Sequence, residues 1–423
     1  MKAARALDSW NNDVIDLQEV SGGHVLLLIG QALLEHHGLM TAFSLDPKTV
    51  HRFLVTLEAA YGDNRYHNSM HAADVALSTH LFLTKFRLVR RLSKLELLAA
   101  LIGAMVHDFN HPGTNNTFEV RTRSGRARTH SDSSVLERHH LHSAFTLLEN
   151  KSVDIFAPLS AEERAQVRSL IIETVLATDL ARHFDYLNRL RDLASSHGHK
   201  AYEDLSPSPD GTGPDTASPS RAAWQPPRAA WRTPFMHPEL VDPKLILVTA
   251  VKWSDLGHAA KPFGLHEKWT HRVVEEFYEL GDREKEMNIS ISPLCDRREP
   301  MDVAKSQLGF FRLFCVPLYA VVADLIDPRM SPWIQLNENL RTWRSKSIQI
   351  QRKPMALRER SSSQSQMCMS ELQEVIPAQG AFCAFGDRSV HLSPTARRLS
   401  RGMSKSAREL SPVSRRFSRS SRD

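Results

Sequence analysis

The chain has 423 residues, 41% of them hydrophobic and 24% charged, an ordinary globular composition that suits one large domain or two average ones. Residues 352–423 hold 14 Lys/Arg against 6 Asp/Glu, a net +8; against +6 for the whole chain, everything before them comes to −2. The pI of 9.2 therefore belongs to a tail and argues against a nucleic-acid partner, which needs basic charge on a folded face with aromatics between the charges.

In chain order, helical periodicity runs almost unbroken from Ala6 to Ala194, with next to no strand alternation. Leu95 to Val106 is Ala/Leu-rich and apolar on most sides, which predicts a core helix. Val167, Leu170, Ile171 and Val175 follow at helical spacing. From Ser195 to Pro238 the texture turns to Pro, Ser, Gly and Ala, and Arg221-Ala222-Ala223-Trp224 recurs as Arg228-Ala229-Ala230-Trp231. This predicts a disordered insertion over 196–238, since little there could form a core. Helical texture resumes at Glu239 and runs to Ser345. After Arg352 the chain is Ser/Arg-rich, with a short apolar patch at Ala381-Phe382.

The expected architecture is one all-α, multi-helix domain over 6–350, split by one loose loop, and a disordered tail over 351–423. No apolar run of about 18 residues stands out, so no membrane span is expected. The start, Met1 to Arg5, lacks the apolar core of a signal peptide. Cys295, Cys315, Cys368 and Cys383 are too few and scattered for a disulfide framework, which points to a reducing, cytoplasmic setting.

The chemistry-bearing residues cluster. His67 and His71 lie four apart and share a helical face. An apolar helix ends in His107-Asp108, His111 follows four residues after His107, and Pro112-Gly113 then turns the chain. Asp255 comes directly after a third apolar stretch that begins near Leu245. Imidazole nitrogen with carboxylate oxygen suits a zinc-type site beside a second, oxygen-preferring ion. The His-Asp pair alone also fits a nucleotide triphosphohydrolase.

Beyond that pair, the sequence resembles the class I cyclic nucleotide phosphodiesterases, from about Ala6 to Asp327 apart from the insertion. The resemblance rests on Tyr66-His67-Asn68 with His71-Ala72-Ala73-Asp74-Val75, His107-Asp108 with His111-Pro112-Gly113, and Ser134-Val135-Leu136-Glu137 with His139-His140. Leu176-Ala177-Thr178-Asp179, Glu275-Glu276-Phe277 with Gly281-Asp282, Ser292-Pro293-Leu294-Cys295-Asp296, and Ser306-Gln307 with Gly309-Phe310 complete it, in the family's order. Ala6 to Trp10, Arg121 to Ser124 and Pro293 to Arg297 are most similar to the calcium/calmodulin-stimulated branch. No separate regulatory module or basic amphipathic calmodulin helix is read ahead of these motifs.

The resemblance implies hydrolysis of the 3′,5′-cyclic phosphate of cAMP, cGMP or both; the alternative is a catalytically weak member that binds the nucleotide or scaffolds a partner. It implies that His71, His107, Asp108 and Asp255 bind zinc, that Asp108 bridges to magnesium or manganese, and that His111, Glu137 and Thr178 orient the water around that ion. His67 is implied as general acid, kept charged by Glu276. Tyr66, Asn116, Asp179, His258, Val273, Phe277, Gln307 and Phe310 are implied to line the nucleotide pocket, with Gln307 on the purine edge and Phe310 stacking on its face. Trp269, on the same stripe as Val273 and Phe277, is expected in the core.

Several positions depart from the family pattern. His258 replaces the Asn of cAMP-selective members, Ala259 replaces Pro, and Trp253 is bulkier than usual. Arg126 to His130 replaces an apolar stretch, and Asn288 stands where Gly is common. In the tail, Arg397-Arg398-Leu399-Ser400 and Arg415-Arg416-Phe417-Ser418 resemble the site preferred by cAMP-dependent protein kinase, which makes such a kinase an expected partner.

Overall fold

The computed structural model describes residues 7–196, 235 and 241–352. The chain divides into two compact units, residues 1–377 and 378–423, and every described residue lies in the first. The described residues form sixteen α-helices and no strand. They are α1 (Val14–Val20), α2 (Val25–His36), α3 (Leu39–Ala42), α4 (Pro47–Ala59), α5 (Ser69–Lys85), α6 (Lys94–Val106), α7 (Asn116–Arg121) and α8 (Gly125–Thr129). Then come α9 (Val135–Leu148), α10 (Ala161–Leu176), α11 (His183–Ser196), α12 (Pro243–Asp255), α13 (Phe263–Glu286), α14 (Val303–Phe310), α15 (Val316–Leu325) and α16 (Ser331–Arg352). The all-α reading holds. The tail motifs at Ser400 and Ser418 and nearly all of the 196–238 insertion lie outside the described residues.

Three buried helices form the centre. In α6 every residue except Lys94 and Glu96 is buried, as the Ala/Leu run predicts. It packs against α5, α10 and α12, while α2 closes on α5 from the other side. Fully burying each leucine of such a helix contributes about 1.5–3 kcal/mol. Local chemistry sets where each helix begins. Ser93 and Glu96 close a reciprocal capping box at the start of α6. Asn68 caps α5 by accepting from the amides of Met70 (3.0 Å) and His71 (3.3 Å). Asp242 caps α12, with Pro243 in its first turn. The start of α5, the end of α6 and the end of α12 converge, so His71, His107 and Asp255 arrive together.

Three expectations need correction. The helical run over 239–345 is broken between Met287 and Asp302. Asn288 leaves α13 at φ +54°, as its tolerance of left-handed backbone allows, and Pro293 and Pro300 keep the chain from resuming a helix. Phe235, placed inside the disordered insertion, is fully buried in the core, and its carbonyl accepts from Arg91 Nη1 at 2.9 Å. One helical stretch, Val303–Leu325, is long and apolar enough to cross a membrane by length and composition, and 61% of its most apolar 18-residue window is buried inside the fold. It was missed because Lys305 and Arg312 interrupt the apolar letters. A π-helical turn, Phe311–Cys315, joins α14 to α15 within it.

The Met287–Asp302 segment lies against α13. Glu284, fully buried, accepts from the Ser292 amide and hydroxyl at 2.5 Å each and from Arg121 Nη1 at 3.2 Å. Gly281 faces the same segment, and a Cβ there would stand 1.9 Å from the Cys295 carbonyl oxygen, a backbone atom that cannot move aside alone. Gly281→Ala is therefore expected to destabilise the fold by about 1–3 kcal/mol or more. Urea unfolding measures it, and an unchanged midpoint would contradict this packing.

Candidate active site

The residues at the three converging helix ends form a tight tetrad. His71 Nε2 lies 3.1 Å from Asp255 Oδ1 and 3.5 Å from Asp108 Oδ2. His107 Nε2 lies 3.1 Å from Asp108 Oδ2, 3.3 Å from Asp255 Oδ1 and 3.3 Å from His71 Nε2. These separations match the edge of a tetrahedron, roughly 3.3 Å when each ligand stands 2.0–2.1 Å from one ion. His107 Nδ1 donates to the Ala104 carbonyl at 2.9 Å, which leaves the Nε2 lone pair facing the group. All four residues can thus offer one ligand atom to a single cation.

A second group shares a member with the first. Asp108, His111 and His140 also bring side-chain N and O atoms within 4.8 Å of one another, so Asp108 belongs to both groups. His140 Nδ1 donates to the Phe109 carbonyl at 2.8 Å, so its free Nε2 faces Asp108 Oδ1 at 3.7 Å. Burial lowers the His140 pKa to about 3, keeping it neutral. His111 differs: its Nδ1 accepts from the Gly113 amide at 3.0 Å, so the proton sits on Nε2 as a donor. That bond needs the sharp turn at Gly113, whose φ is +71°.

His67 stacks on His111 with ring centres 4.0 Å apart. Its Nδ1 donates to Glu276 Oε1, while Glu276 Oε2 accepts from the amides of Tyr66 (2.7 Å) and His67 (3.0 Å). Glu276 is thereby fixed and His67 is aimed. Burial opposes charge on His67, but the carboxylates of Glu276 and Asp108 outweigh it and raise the pKa to about 9. Burial pushes Glu276 the other way, and the imidazole beside it brings its pKa down to about 2.

Around this core, Asn116 Nδ2 donates to Glu137 Oε2 at 3.1 Å and its Oδ1 accepts from the Leu136 amide at 2.9 Å. Burial, then the nearby Asp179, raises the Glu137 pKa to about 7. Asp179 accepts from Ser134 Oγ (2.7 Å) and the Ala181 amide (2.9 Å). Asn116 and Asp179 thus direct these polar contacts into the protein. Thr178, buried, donates to the Val175 carbonyl at 2.7 Å.

On the other side, Gln307 is buried and its Oε1 has no protein partner. His258 lies nearly parallel to Phe310, with ring centres 6.3 Å apart. Trp343 Nε1 donates to His266 Nε2 at 2.8 Å, so the His266 proton sits on Nδ1 and is given to His258 Nδ1 at 3.1 Å. Neutral His258 therefore carries its own proton on Nε2; burial holds its pKa well below the usual value. Val273 packs with Tyr66, Leu265 and Trp269, while Phe277 joins a separate cluster with Phe118, Leu280 and Cys295. Trp269 is core, as expected.

The sequence assigns no role to His140; its spacing of three from Glu137 on one helix face is the signal for it. Two buried lysines were also missed. Lys252 Nζ donates to the Ala177 carbonyl at 2.8 Å, and Lys261 pairs with Asp74. Both stand as single letters inside apolar segments, with nothing local to name their partners.

The fold and this centre define an all-α protein with a His/Asp cluster able to hold a metal ion. The family of 3′5′-cyclic nucleotide phosphodiesterases matches residues 66–336, and the chain belongs to it. It is 34% identical over 335 residues to the mouse (Mus musculus) dual specificity calcium/calmodulin-dependent 3′,5′-cyclic nucleotide phosphodiesterase 1C, covering 78% of this chain and 42% of that protein. It is 33% identical to the probable 3′,5′-cyclic-AMP phosphodiesterase pde-4 of Caenorhabditis elegans, covering 80% of this chain and 45% of that one. The chain spans less than half the length of these two relatives. Among solved structures, LmjPDEB1 in complex with IBMX superposes with a TM-score of 0.67 at 27% identity, covering 81% of this chain and 93% of that one.

Proposed function

We propose that this chain is a metal-dependent phosphodiesterase that hydrolyses the 3′,5′-cyclic phosphate of cAMP, cGMP or both to the 5′-monophosphate. The observation that carries the reading is the meeting of the His71–His107–Asp108–Asp255 tetrad with the His67–Glu276 pair. Family membership supports it.

In this reading His71, His107, Asp108 and Asp255 would hold zinc, and Asp108 would also serve magnesium or manganese. When bound, such a pair of cations would supply an acidified water and neutralise charge on the phosphate. His67 does the acid work. Glu276 holds the ring by Nδ1, leaving Nε2–H to protonate the departing O3′. His111, with its proton on Nε2, donates toward water beside Asp108, and Glu137 and Thr178 complete that water's surroundings. Tyr66, His258, Val273, Phe277, Gln307 and Phe310 face the nucleotide, and Asn116 and Asp179 act there by fixing Glu137 and Ser134. Incubation with cAMP and with cGMP, followed by separation of products, tests the reading. The 5′-monophosphate is expected. The 3′-monophosphate, or no turnover with both metals present, would overturn it.

Gln307→Ala is expected to raise KM for both nucleotides with metal content unchanged, because the unpartnered Oε1 is removed and no ligand is touched. Equal loss on a purine-free phosphodiester would contradict a role on the purine edge.

The same proposal extends to the rest of the chain. A cytoplasmic enzyme fits the sparse, scattered cysteines. A basophilic kinase acting on Ser400 and Ser418 would add about −1.5 to −2 charges per site to the basic tail. Deleting Ser196 to Arg232 and joining the ends with a short linker, which spares the buried Phe235, is expected to leave catalysis nearly unchanged; a large fall in folded yield would contradict it.

A further inference from the structure

Among the described residues outside the active site, one cluster of side chains has the chemistry of a metal site. His36 and His37, at the end of α2, meet His80 of α5, and one ligand atom from each lies within 4.8 Å of the others. The three rings form a nearly equilateral triangle, with centres 5.0, 5.0 and 4.9 Å apart. Three imidazoles on one tetrahedral ion at 2.0–2.1 Å would hold their ring centres roughly 5.2 Å apart. The two histidines of the active-site tetrad stand at 5.1 Å.

The proton arrangement can be derived. His80 Nε2 lies 3.0 Å from the Leu7 carbonyl, which only accepts, so Nε2 carries the His80 proton. Nδ1 of neutral His80 is then a bare lone pair, and His37 Nε2 donates to it at 2.8 Å. A metal-bound histidine commonly gives its other N–H to a carbonyl, and His80 already does so through Leu7. Burial, followed by mutual repulsion among the rings, lowers the His37 pKa to about 3. Burial chiefly lowers that of His80 to about 4. Both are therefore neutral and able to act as ligands at any physiological pH. His36 is exposed, so a fourth position is open to water. Two features oppose a cation: Lys94 Nζ donates to the His37 carbonyl at 2.6 Å, and Lys85 lies near, partly offset by Asp8 at 3.9 Å. The His37–His80 pair must also part by roughly 0.5 Å to reach a tetrahedral edge.

We infer that His36, His37 and His80 form a further metal site, separate from the active site, for one imidazole-preferring divalent ion of the zinc, nickel or copper class. Binding needs a tautomer change at His37, whose proton moves to Nδ1 while Nε2 takes the ion, and the small separation of the His37–His80 pair noted above. The ion ties the N-terminal segment at Leu7 and the end of α2 to α5, the helix that carries His71.

The site is tested in the full chain carrying Asp255→Ala, so that the catalytic tetrad is already broken. After chelation and dialysis, zinc chloride is titrated and bound zinc is measured by atomic emission, with the melting temperature followed in parallel. One zinc per chain and a rise in melting temperature are expected, and both are lost when His36→Gln is added. His36 is exposed, so that second change leaves the fold intact. Its affinity loss should be at least the 10–100-fold typical of disturbing a ligand's support. Equal zinc binding with and without His36→Gln, or none in either, would overturn the site and leave a hydrogen-bonded histidine cluster. Neither outcome touches the phosphodiesterase reading, which rests on other residues.

Discussion

Asp255→Ala is expected to remove the proposed cyclic nucleotide turnover to the detection limit, with the helical fold kept. Asp255 is the last residue of α12, and its side chain is about one-fifth exposed, so its loss leaves no hole in the core. Its Oδ1 is within 3.3 Å of both His71 Nε2 and His107 Nε2, so no neighbouring group can replace it as a ligand. The variant should therefore lose an equivalent of tightly held metal together with activity, while circular dichroism stays as in the wild type. Retained activity would show that the tetrad is structural.

His67→Asn is the second large effect. A positioned acid contributes about 10² to 10⁴ in rate. That loss is expected in kcat, with metal content normal, since His67 is not a member of the tetrad. A variant that instead loses metal would make His67 a ligand. The pH profile separates the acid from its partner. The protonated imidazole is the active form, so the rate falls as pH rises through the His67 pKa. Burial depresses that pKa and Glu276 raises it. Glu276→Gln removes the raising charge, so the falling limb of kcat should move to lower pH. An unmoved limb would mean that another group titrates there.

The legibility of this chain in its sequence was uneven, for physical reasons. Helix periodicity and the Ala/Leu run over Leu95–Val106 are local properties, so the all-α class and the buried α6 were readable. His71, His107 and Asp108 fall at helix ends and Asp255 ends an apolar helix, so the candidate metal centre was readable; His67 precedes the Asn68 cap and lies outside α5, so the helical face expected for it with His71 does not form. What stayed hidden depends on contacts far apart in the chain. The His258–His266–Trp343 relay, the Lys261–Asp74 pair and the fit of Gly281 under the Cys295 carbonyl join segments whose local letters say nothing of each other. Phe235 was lost in the Pro/Ser-rich texture around it, though it is core. The His36–His37–His80 group joins α2 to α5 across 43 residues and carries no motif.

Chelation tests the central claim most directly. The purified chain is stripped exhaustively with a chelator, assayed on cAMP and cGMP, and assayed again after zinc with magnesium or manganese is returned. Hydrolysis should stop on stripping and recover with the ions, if His71, His107, Asp108 and Asp255 hold the cation beside His67 as proposed. Undiminished turnover by the metal-free protein would contradict the account.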